Sequence, residues 1–302
     1  MPIADSEKSI RNGLGFAAGF KNVGFSFGYQ ENSYARVELR GGDEIAEAVV
    51  YFAGADCGQG NHTIIAQVAA EVTGVPFERV RVIASDTARM GDSGSASASR
   101  LTYMSGNAVR GAAEKALTAW QNEDRPAVGE YVYLAPKTTP IDHDTGYGKP
   151  NFAYGYVAQA AFVAVDTETG EVRVERFVSA DDVGKAINPQ QVIGQIEGGA
   201  VQALGYALLE DFRTAQGRVL TDKLSTYLIP TVLDIPDRLD AIIVETPDPN
   251  GPFGARGMGE MPYLPAAAAV AAAVHDATGV RFDAFPLTPE RVWRGLKAKD
   301  RP

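Results

Sequence analysis

Residues 250–262 read Asn-Gly-Pro-Phe-Gly-Ala-Arg-Gly-Met-Gly-Glu-Met-Pro, and the Ala-rich segment Tyr263–Val274 follows at once. The run places four glycines within nine residues, and glycine permits left-handed backbone dihedrals and close backbone approach to a ligand. The Ala-rich segment predicts a helix, whose N-terminus presents free N–H groups to anionic atoms. Glu260 lies at this junction. It is either a catalytic carboxylate beside a ligand or an acid that only favours the helix dipole from the first turn.

The composition limits the classes of protein to which the chain can belong. The chain has 302 residues, of which 45% are hydrophobic and 22% charged, values typical of a soluble globular protein with one large or two modest domains. The net charge of -10 argues against nucleic acid or an anionic membrane as the partner. Met1–Arg11 lacks the apolar core of a signal peptide, and the longest apolar run, Met261–Val274, is too short to span a bilayer. We therefore expect a cytoplasmic protein.

Side chains that could ligate a metal are sparse. Cys57 is the one cysteine, so neither an intrachain disulfide nor a cysteine-based metal site is possible. The three histidines, His62, His143 and His275, lie far apart in sequence and lack metal-ligand spacing. The sequence therefore predicts no metal ion held by protein side chains.

The N-terminal part of the chain predicts strands around one helix. Alternating patterns indicate strands over residues 35–40, 44–52 and 79–85, and a helix follows the glycine-rich loop 54–61 and ends near Gly74. The order resembles a phosphate-binding unit, but the loop contains neither G-x-G-x-x-G nor G-x-x-x-x-G-K-[ST]. The loop is therefore either part of a ligand site or a plain tight connection.

A second run of small residues, Gly91–Arg100, consists almost entirely of Gly, Ala and Ser. Such residues fill little volume, so the run is either a flexible linker or a lining that lets a polar ligand approach backbone and hydroxyl groups. A helical pattern over 106–120 follows at once, which favours the lining.

Residues 121–150 are rich in Pro, Gly, Asp and Thr and predict a surface loop. Strands over 156–166 and 171–180 then form a hairpin. A helix over 188–209 follows, with Asn188 as its N-cap and Pro189 at its first position.

Four glycines lie inside this 188–209 helix, and each costs about 1 kcal/mol relative to alanine. Either a closely packed element or a ligand must explain them. A strand over 238–246 then leads into the stretch quoted above, and a last short helix covers 289–296.

Four motifs occur along the chain: Cys-Gly-Gln-Gly at 57–60, Ser-Ala-Ser-Arg at 97–100, Gly-Gln-Ile-Glu-Gly at 194–198 and Gly-Ala-Arg-Gly-Met-Gly-Glu at 254–260. Together, in this order and spacing, they resemble the molybdenum hydroxylases of the xanthine dehydrogenase and aldehyde oxidase family, in the C-terminal half of the molybdopterin-binding subunit. The resemblance implies an α+β fold of mixed sheets with packed helices. It also implies a first α/β segment over 1–120, a linker over 121–150 and a second α/β segment over 151–302 that carries Glu260.

The same resemblance implies roles for particular residues. Glu260 would be the general base beside the metal, Gln59 would hydrogen-bond the molybdopterin or the apical oxo ligand of molybdenum, and Gln195 would contact the pterin. The other cofactor-binding positions would be Cys57, Gly58, Ala96, Ser97, Ala98, Ser99 and Gly259. Cys57 stands where many members carry Met and would pack beside the cofactor, because the family holds molybdenum through the pterin dithiolene.

The implied cofactor is molybdopterin with Mo, in its cytosine dinucleotide form. The N-terminal half of the subunit and the iron–sulfur and flavin domains of the family have no counterpart in the sequence, and one cysteine cannot hold a [2Fe–2S] cluster. The resemblance therefore implies a split enzyme, as in nicotinate dehydrogenase. Its partners would be a second molybdopterin-binding subunit, an iron–sulfur subunit with [2Fe–2S] clusters and a flavoprotein subunit with FAD.

The implied reaction is hydroxylation of an electron-poor carbon in an aromatic N-heterocycle, such as nicotinate or a purine. Water would supply the oxygen, and electrons would pass to the iron–sulfur and flavin partners. An aldehyde-oxidising member of the family and a non-catalytic scaffold paralogue remain as alternatives, and an unrelated nucleotide-binding module is a third.

Overall fold

The computed structural model describes residues 9–25, 27–84 and 86–299. The strands are β1 (Ile10–Asn22), β2 (Asn32–Gly41), β3 (Ile45–Phe52), β4 (Val80–Ala84), β5 (Ala127–Leu134), β6 (Tyr154–Asp166), β7 (Val172–Asp182), β8 (Thr214–Ala215), β9 (Arg218–Val219) and β10 (Arg238–Val244). The helices are α1 (Asn61–Thr73), α2 (Leu101–Gln121), α3 (Pro189–Leu208), α4 (Ala266–Thr278) and α5 (Pro289–Lys299). Within the described ranges, no helix is long and apolar enough to cross a membrane.

The first sheet has the strand order β4-β3-β2-β5. Strand β2 is antiparallel to both β3 and β5, whereas β3 and β4 are parallel because α1 connects them as a crossover. Alternate residues of a strand point to one face, and Val37 and Val50 thereby meet Ile65 of α1 and Val109 of α2 in a fully buried core. The loops that connect these strands to the two helices emerge at one end of this layer.

The second sheet has the order β1-β6-β7-β10, in which only the β7–β10 pair is parallel. Helix α4 lies directly against β1 because β1 faces it with glycines and α4 consists mostly of alanine. A β-carbon on Gly13 would stand 2.1 Å from the carbonyl oxygen of Ala273, and one on Gly15 would stand 2.0 Å from that of Ala269. Any larger residue at these two glycines would therefore push the helix away from the sheet.

The α+β class expected from the sequence is confirmed, as are most of its elements. The predicted hairpin is present as β6 and β7. Helix α1 ends at Gly74, whose φ of 71° suits glycine. Asn188 is the N-cap of α3, and its side-chain oxygen accepts a hydrogen bond from the Gln191 N–H at 3.1 Å. The Ser85 end of the strand predicted over 79–85 lies outside the described residues.

The prediction of a loop throughout 121–150 is wrong over Ala127–Leu134. That segment forms β5, which pairs with β2. The prolines that suggested a loop, Pro126 and Pro136, flank the strand and do not interrupt its hydrogen bonds. Strand β1 was not predicted, and it belongs to the second sheet because it pairs with β6. Sheet pairing therefore crosses the proposed division into segments 1–120, 121–150 and 151–302.

Two helix boundaries also differ from the prediction. Helix α2 begins at Leu101 and not at Gly106, which lies inside the helix and faces Pro252: a β-carbon there would stand 2.7 Å from the proline ring. The helix predicted over 263–274 is α4 over Ala266–Thr278, because Met261–Tyr263 forms a separate 3-10 turn.

A row of polar side chains is buried in the second sheet. Gln159 of β6 and Ser179 and Asp181 of β7 are at most 1% exposed. Gln159 Nε2 donates to Ser179 Oγ at 2.9 Å, and Ser179 Oγ donates to Asp181 Oδ2 at 2.7 Å. Burial raises the pKa of the Asp181 carboxyl to about 6, although the Ser179 hydroxyl acts in the opposite direction.

Asp181→Asn should change how the free energy of unfolding depends on pH. Because folding raises the pKa of this carboxyl from 3.8 to about 6, the folded protein binds its proton more tightly than the unfolded chain does. The contribution of the group to stability is therefore full below about pH 4 and is lost as the pH rises through 6, by up to about 3 kcal/mol. The amide carries no charge. In urea unfolding, the variant should gain stability relative to wild type between acidic and neutral pH.

Asp240→Asn is the matched control, because hydrogen bonds from Arg238 and Arg176 hold the pKa of the Asp240 carboxyl below its usual value. That variant should lose stability relative to wild type at neutral pH. If the profile of Asp181→Asn runs parallel to that of the wild type, the Asp181 carboxyl does not titrate as its burial requires.

Candidate functional site

A cavity of about 410 Å³ opens between three chain segments and α3. The segments are residues 57–61, 96–102 and 257–260, of which the first two run into α1 and α2. Ile64 of α1 and Gln195 of α3 also line the cavity. Nine of the ten residues singled out from the sequence line this cavity: Cys57, Gln59, Ala96, Ser97, Ala98, Ser99, Gln195, Gly259 and Glu260. The tenth, Gly58, belongs to the same loop as Gln59. Segments far apart in sequence are thus brought to one place.

The 54–61 loop is folded around Asp56. Its carboxylate accepts hydrogen bonds from the N–H groups of Gly58 at 2.8 Å, Gly60 at 3.3 Å and His62 at 3.2 Å. Partial burial alone would raise the pKa of the Asp56 carboxyl, but the N–H groups of these residues hold it below its usual value. Gly58 and Gly60 have φ values of 116° and 78°, which the tight loop requires. Asp56 therefore acts as the internal anchor of this loop.

Gln59 is held by its own loop. Its Oε1 accepts from the Cys57 N–H at 2.6 Å, and its Nε2 donates to the Ala55 carbonyl at 2.9 Å. A side-chain amide has two donor hydrogens and two acceptor lone pairs. One donor and one acceptor position of Gln59 therefore remain for a ligand, and the side chain is oriented before a ligand arrives.

The serine-rich loop is organised by Arg100, which is 2% exposed. Its Nε lies 2.5 Å from Oε2 of Glu31, which is 1% exposed, so the two form a buried ion pair. The other guanidinium nitrogens donate to the carbonyl oxygens of Ser93, Ser95 and Asn32 at 3.0, 3.1 and 2.7 Å. One side chain thus fixes the start of the loop, the end of the loop and the entry to β2.

Ala98 and Ser99 both have a φ of 53°, in the left-handed region that non-glycine residues rarely adopt. The Ala98 carbonyl accepts from the Gly24 N–H at 2.7 Å, which holds the loop against the end of β1. Within the described part of the chain, the N–H groups of residues 96–99 have no acceptor. Donors left free by a strained loop beside a cavity are suited to an anionic or strongly polar ligand.

Glu260 is oriented by two neighbours from distant parts of the chain. Its Oε2 accepts from Ser99 Oγ at 2.7 Å and lies 3.1 Å from Lys21 Nζ. Lys21 uses its other donors on the carbonyl and side-chain oxygens of Asn22, both at 2.9 Å. Among the described residues, nothing pairs with Glu260 Oε1, and the side chain is 49% exposed. One carboxylate oxygen of this cavity-lining side chain is therefore held, and the other has no partner among the described residues.

Gly257 lets the Glu260 loop come this close. A β-carbon at Gly257 would stand 1.4 Å from the carbonyl oxygen of Ser99, so any side chain there would separate the two loops. At Gly259 a β-carbon would meet no atom of residues 9–25, 27–84 and 86–299 within 4 Å. The first glycine is thus required for packing between the loops, and the second leaves open space beside Glu260.

The expectation that Glu260 lies at the start of the Ala-rich helix is wrong. Glu260 precedes the 3-10 turn Met261–Tyr263, and α4 begins at Ala266. Leu264 and Pro265 lie between the two elements. The carboxylate therefore does not occupy the first turn of α4, and the reading that it only favours that helix dipole does not apply.

The glycines of α3 have two different surroundings. A β-carbon on Gly199 would contact Pro262 at 3.0 Å, and one on Gly205 would overlap Glu210 and Pro230. A β-carbon on Gly194 or Gly198, on either side of Gln195 in sequence, would meet nothing within 4 Å in the part of the chain that the structure describes. Close packing explains the first two glycines, and open space adjoins the other two.

Sequence reasoning missed Lys21, Asp56 and the Arg100–Glu31 pair. Asp56 had a local signal, because an Asp two residues before a Gly commonly accepts backbone N–H bonds in a turn. Arg100 was visible as the end of the Ser-Ala-Ser-Arg motif, but its partner Glu31 is far away in sequence. Lys21 had no signal, since it lies in the strand that was not predicted and meets Glu260 only through the fold.

The Molybdopterin cofactor-binding domain family matches the chain over residues 2–130 and 116–236. The chain is 35% identical to the probable hypoxanthine oxidase XdhD of Escherichia coli (strain K12), over 82% of this chain and 29% of that protein. It is 34% identical to the aldehyde oxidoreductase of Megalodesulfovibrio gigas, over 97% of this chain and 33% of that protein. The chain therefore spans about a third of the length of these relatives.

Solved structures of similar proteins have the same fold. The aldehyde oxidoreductase from Desulfovibrio gigas superposes with a TM-score of 0.88 at 34% identity, over 97% of this chain and 33% of that one. Quinoline 2-oxidoreductase from Pseudomonas putida 86 superposes with a TM-score of 0.79 at 29% identity, over 98% of this chain and 43% of that one.

Arg100→Met should destabilise the protein by about 3–5 kcal/mol, because it leaves the Glu31 carboxylate buried without a counter-charge. Three backbone carbonyls lose their donors as well. The free energy of unfolding in urea measures the effect. Arg110→Met is the matched control, since Arg110 is exposed, pairs with Glu114 at the surface and lies over the Phe253 ring at 5.5 Å. It should change stability by less than about 1 kcal/mol. Equal effects of the two substitutions would mean that the buried pair does not hold the serine-rich loop.

Proposed function

Since the chain belongs to the molybdopterin cofactor-binding family of the molybdenum hydroxylases, we propose that its cavity is one wall of the cofactor site and that Glu260 is the general base. The observation that carries the proposal is the convergence of Gln59, residues 96–99, Gln195 and Glu260 on one cavity. The chain spans only about a third of its relatives, so other parts of the enzyme would form the remaining walls.

The residues around the cavity fit molybdopterin, which is polar and anionic. The free N–H groups of residues 96–99 would supply hydrogen-bond donors. Leu101 and Thr102, in the first turn of α2, also line the cavity, and the N–H groups of a helix N-terminus suit an anionic ligand. At Gly58 and Gly259 no atom of the described residues lies within 4 Å of the place that a β-carbon would take, so a ligand can approach the backbone closely at both. A net charge of -10 does not oppose this binding, because oriented N–H groups create a local positive potential.

When bound, the molybdenum cofactor would supply the two-electron oxidation chemistry. The role of this chain would be to position the cofactor and to move a proton. Glu260 would take the proton at Oε1, since Oε2 is already held by Ser99 and Lys21. A fixed carboxylate with one free oxygen is the arrangement that general-base catalysis needs. We also propose that the pterin is bound in its cytosine dinucleotide form.

For the substrate we propose an electron-poor carbon of an aromatic N-heterocycle, nicotinate- or purine-like, with water as the oxygen source. The similarity to a probable hypoxanthine oxidase supports a purine-like ring. Oxidation of an aldehyde is the second candidate, supported by the similarity to aldehyde oxidoreductase over nearly the whole chain. A scaffold without catalysis is disfavoured by the oriented Glu260.

For partners we propose a second molybdopterin-binding subunit, an iron–sulfur subunit with [2Fe–2S] clusters and a flavoprotein with FAD. Two relatives are named as parts of larger assemblies, the 6-hydroxypseudooxynicotine dehydrogenase complex subunit gamma of Paenarthrobacter nicotinovorans and the carbon monoxide dehydrogenase large chain of Hydrogenophaga pseudoflava. We also propose that the complex is cytoplasmic.

Glu260→Gln should lower turnover by roughly 10²–10⁴-fold, the usual contribution of a general base, and leave the molybdenum and pterin content near normal. The amide keeps the size of the side chain but cannot take the proton. Turnover of the purified complex, together with metal and pterin analysis of the same sample, measures both quantities.

Glu245→Gln is the matched control, because Glu245 also pairs with a lysine, Lys185 at 2.7 Å, but does not line the cavity. It should retain normal turnover. Normal turnover of Glu260→Gln would remove Glu260 from its role, and a correctly matured wild-type complex without molybdenum would refute the cofactor site itself.

A further inference from the structure

The turn that follows Glu260 is hydrogen-bonded to the buried polar row of the second sheet. The row consists of Gln159, Ser179 and Asp181, and the Gln159 Nε2 also donates to the Pro262 carbonyl at 2.6 Å. Pro262 is two residues beyond Glu260 and belongs to the 3-10 turn Met261–Tyr263. An unbroken chain of hydrogen bonds thus joins β7 to the backbone next to the proposed base.

The direction of these bonds is fixed by chemistry. A carbonyl oxygen only accepts, so the atom of Gln159 that faces Pro262 is the donor Nε2. The same nitrogen has a second hydrogen, and it donates to Ser179 Oγ. The one hydroxyl hydrogen of Ser179 is then directed to Asp181, which ends the row as an acceptor. Each side chain in the row therefore sets the orientation of the next, from Asp181 to Pro262.

Shape complementarity holds the same turn from two other sides. A β-carbon on Gly155 of β6 would stand 1.8 Å from the sulfur of Met261, a residue that is fully buried. On the other side, Gly199 of α3 faces Pro262. These contacts are apolar and tolerate small sliding motions. The Gln159 bond adds a directional contact at Pro262, on the far side of Glu260 from the hydrogen bond that the Gly259–Glu260 backbone makes through the Glu260 N–H to Ser99 Oγ at 3.1 Å.

A contribution to the stability of the core does not explain why these polar side chains are buried. Val157 and Ile243 stand opposite Asp181 on the neighbouring strands, and with Met261 they belong to an apolar cluster. Apolar side chains would fill this place without leaving polar atoms unpaired. Gln159 Oε1 and Asp181 Oδ1 are buried and have no hydrogen-bond partner within the described residues. Unpaired polar atoms of this kind destabilise a core, so the row is expected to serve something other than stability.

We propose that Gln159 is a positioning residue for Glu260, held in place by Ser179 and Asp181 and acting through the Pro262 carbonyl. The proposal rests on the proposed function for its effect on turnover. Its structural part, the ordering of the 258–264 turn, holds whether or not Glu260 is the base.

The test is Gln159→Leu in the purified complex, with Ser179→Ala as a milder second variant that removes only the support behind Gln159. Amide hydrogen exchange is followed by mass spectrometry for peptides that cover residues 258–264, alongside kcat, KM and pterin content. Exchange in the turn should rise by about fivefold to tenfold in Gln159→Leu, the loss expected for one hydrogen bond, and less in Ser179→Ala. The value of kcat should fall by about tenfold or more, with KM and pterin content near those of wild type.

Val163→Ala is the matched control. Val163 is buried on the same face of β6 as Gln159 but lies farther from the turn, in the core beneath α4. Its truncation should weaken that core without a selective effect on residues 258–264. If Gln159→Leu raises exchange no more in the turn than in the rest of the sheet, as Val163→Ala does, the positioning role is overturned. Unchanged exchange in the turn overturns it as well. If exchange rises in the turn while Glu260→Gln keeps full turnover, the ordering stands and only the proposed base is lost.

Discussion

The buried ion pair between Arg100 and Glu31 is the contact on which the cavity depends. Both side chains are almost fully buried, so the pair is stable only because the guanidinium also satisfies three backbone carbonyls. Those carbonyls belong to the serine-rich loop and the entry to β2. Once this loop is held, Ser99 can reach Glu260. A charge pair far from solvent thus determines where an exposed carboxylate points.

Around this pair, the cavity is built mainly by the absence of side chains. Gly257 brings the Glu260 loop onto the Ser99 backbone, and Gly13 and Gly15 let α4 lie directly on β1. Strand β1 in turn carries Lys21, the cation beside Glu260, as its last residue but one. Small residues therefore have two functions in this chain. Some allow elements to touch, and others, such as Gly259, leave space that no atom of the described residues occupies.

Much of the fold could be predicted from the sequence because its signals are local. The N-cap Asn188, the terminating Gly74 and the alternation of β6 and β7 each act within a few residues. Strands β1 and β5 were missed because glycines in one and flanking prolines in the other resemble loop signals. Their pairing with β6 and β2 is a long-range property. The same limit applies to the site. The motifs indicated which loops converge, but Lys21 and Glu31 depend on contacts that no short pattern encodes.

Diffraction at the molybdenum absorption edge, on crystals of the purified complex, tests most directly whether these loops hold the cofactor. The arrangement described here places the anomalous peak in the cavity between residues 57–61, 96–102 and 257–260, on the side of Glu260 that carries the free Oε1. A molybdenum peak elsewhere in the complex, with this cavity filled by solvent, would contradict that placement.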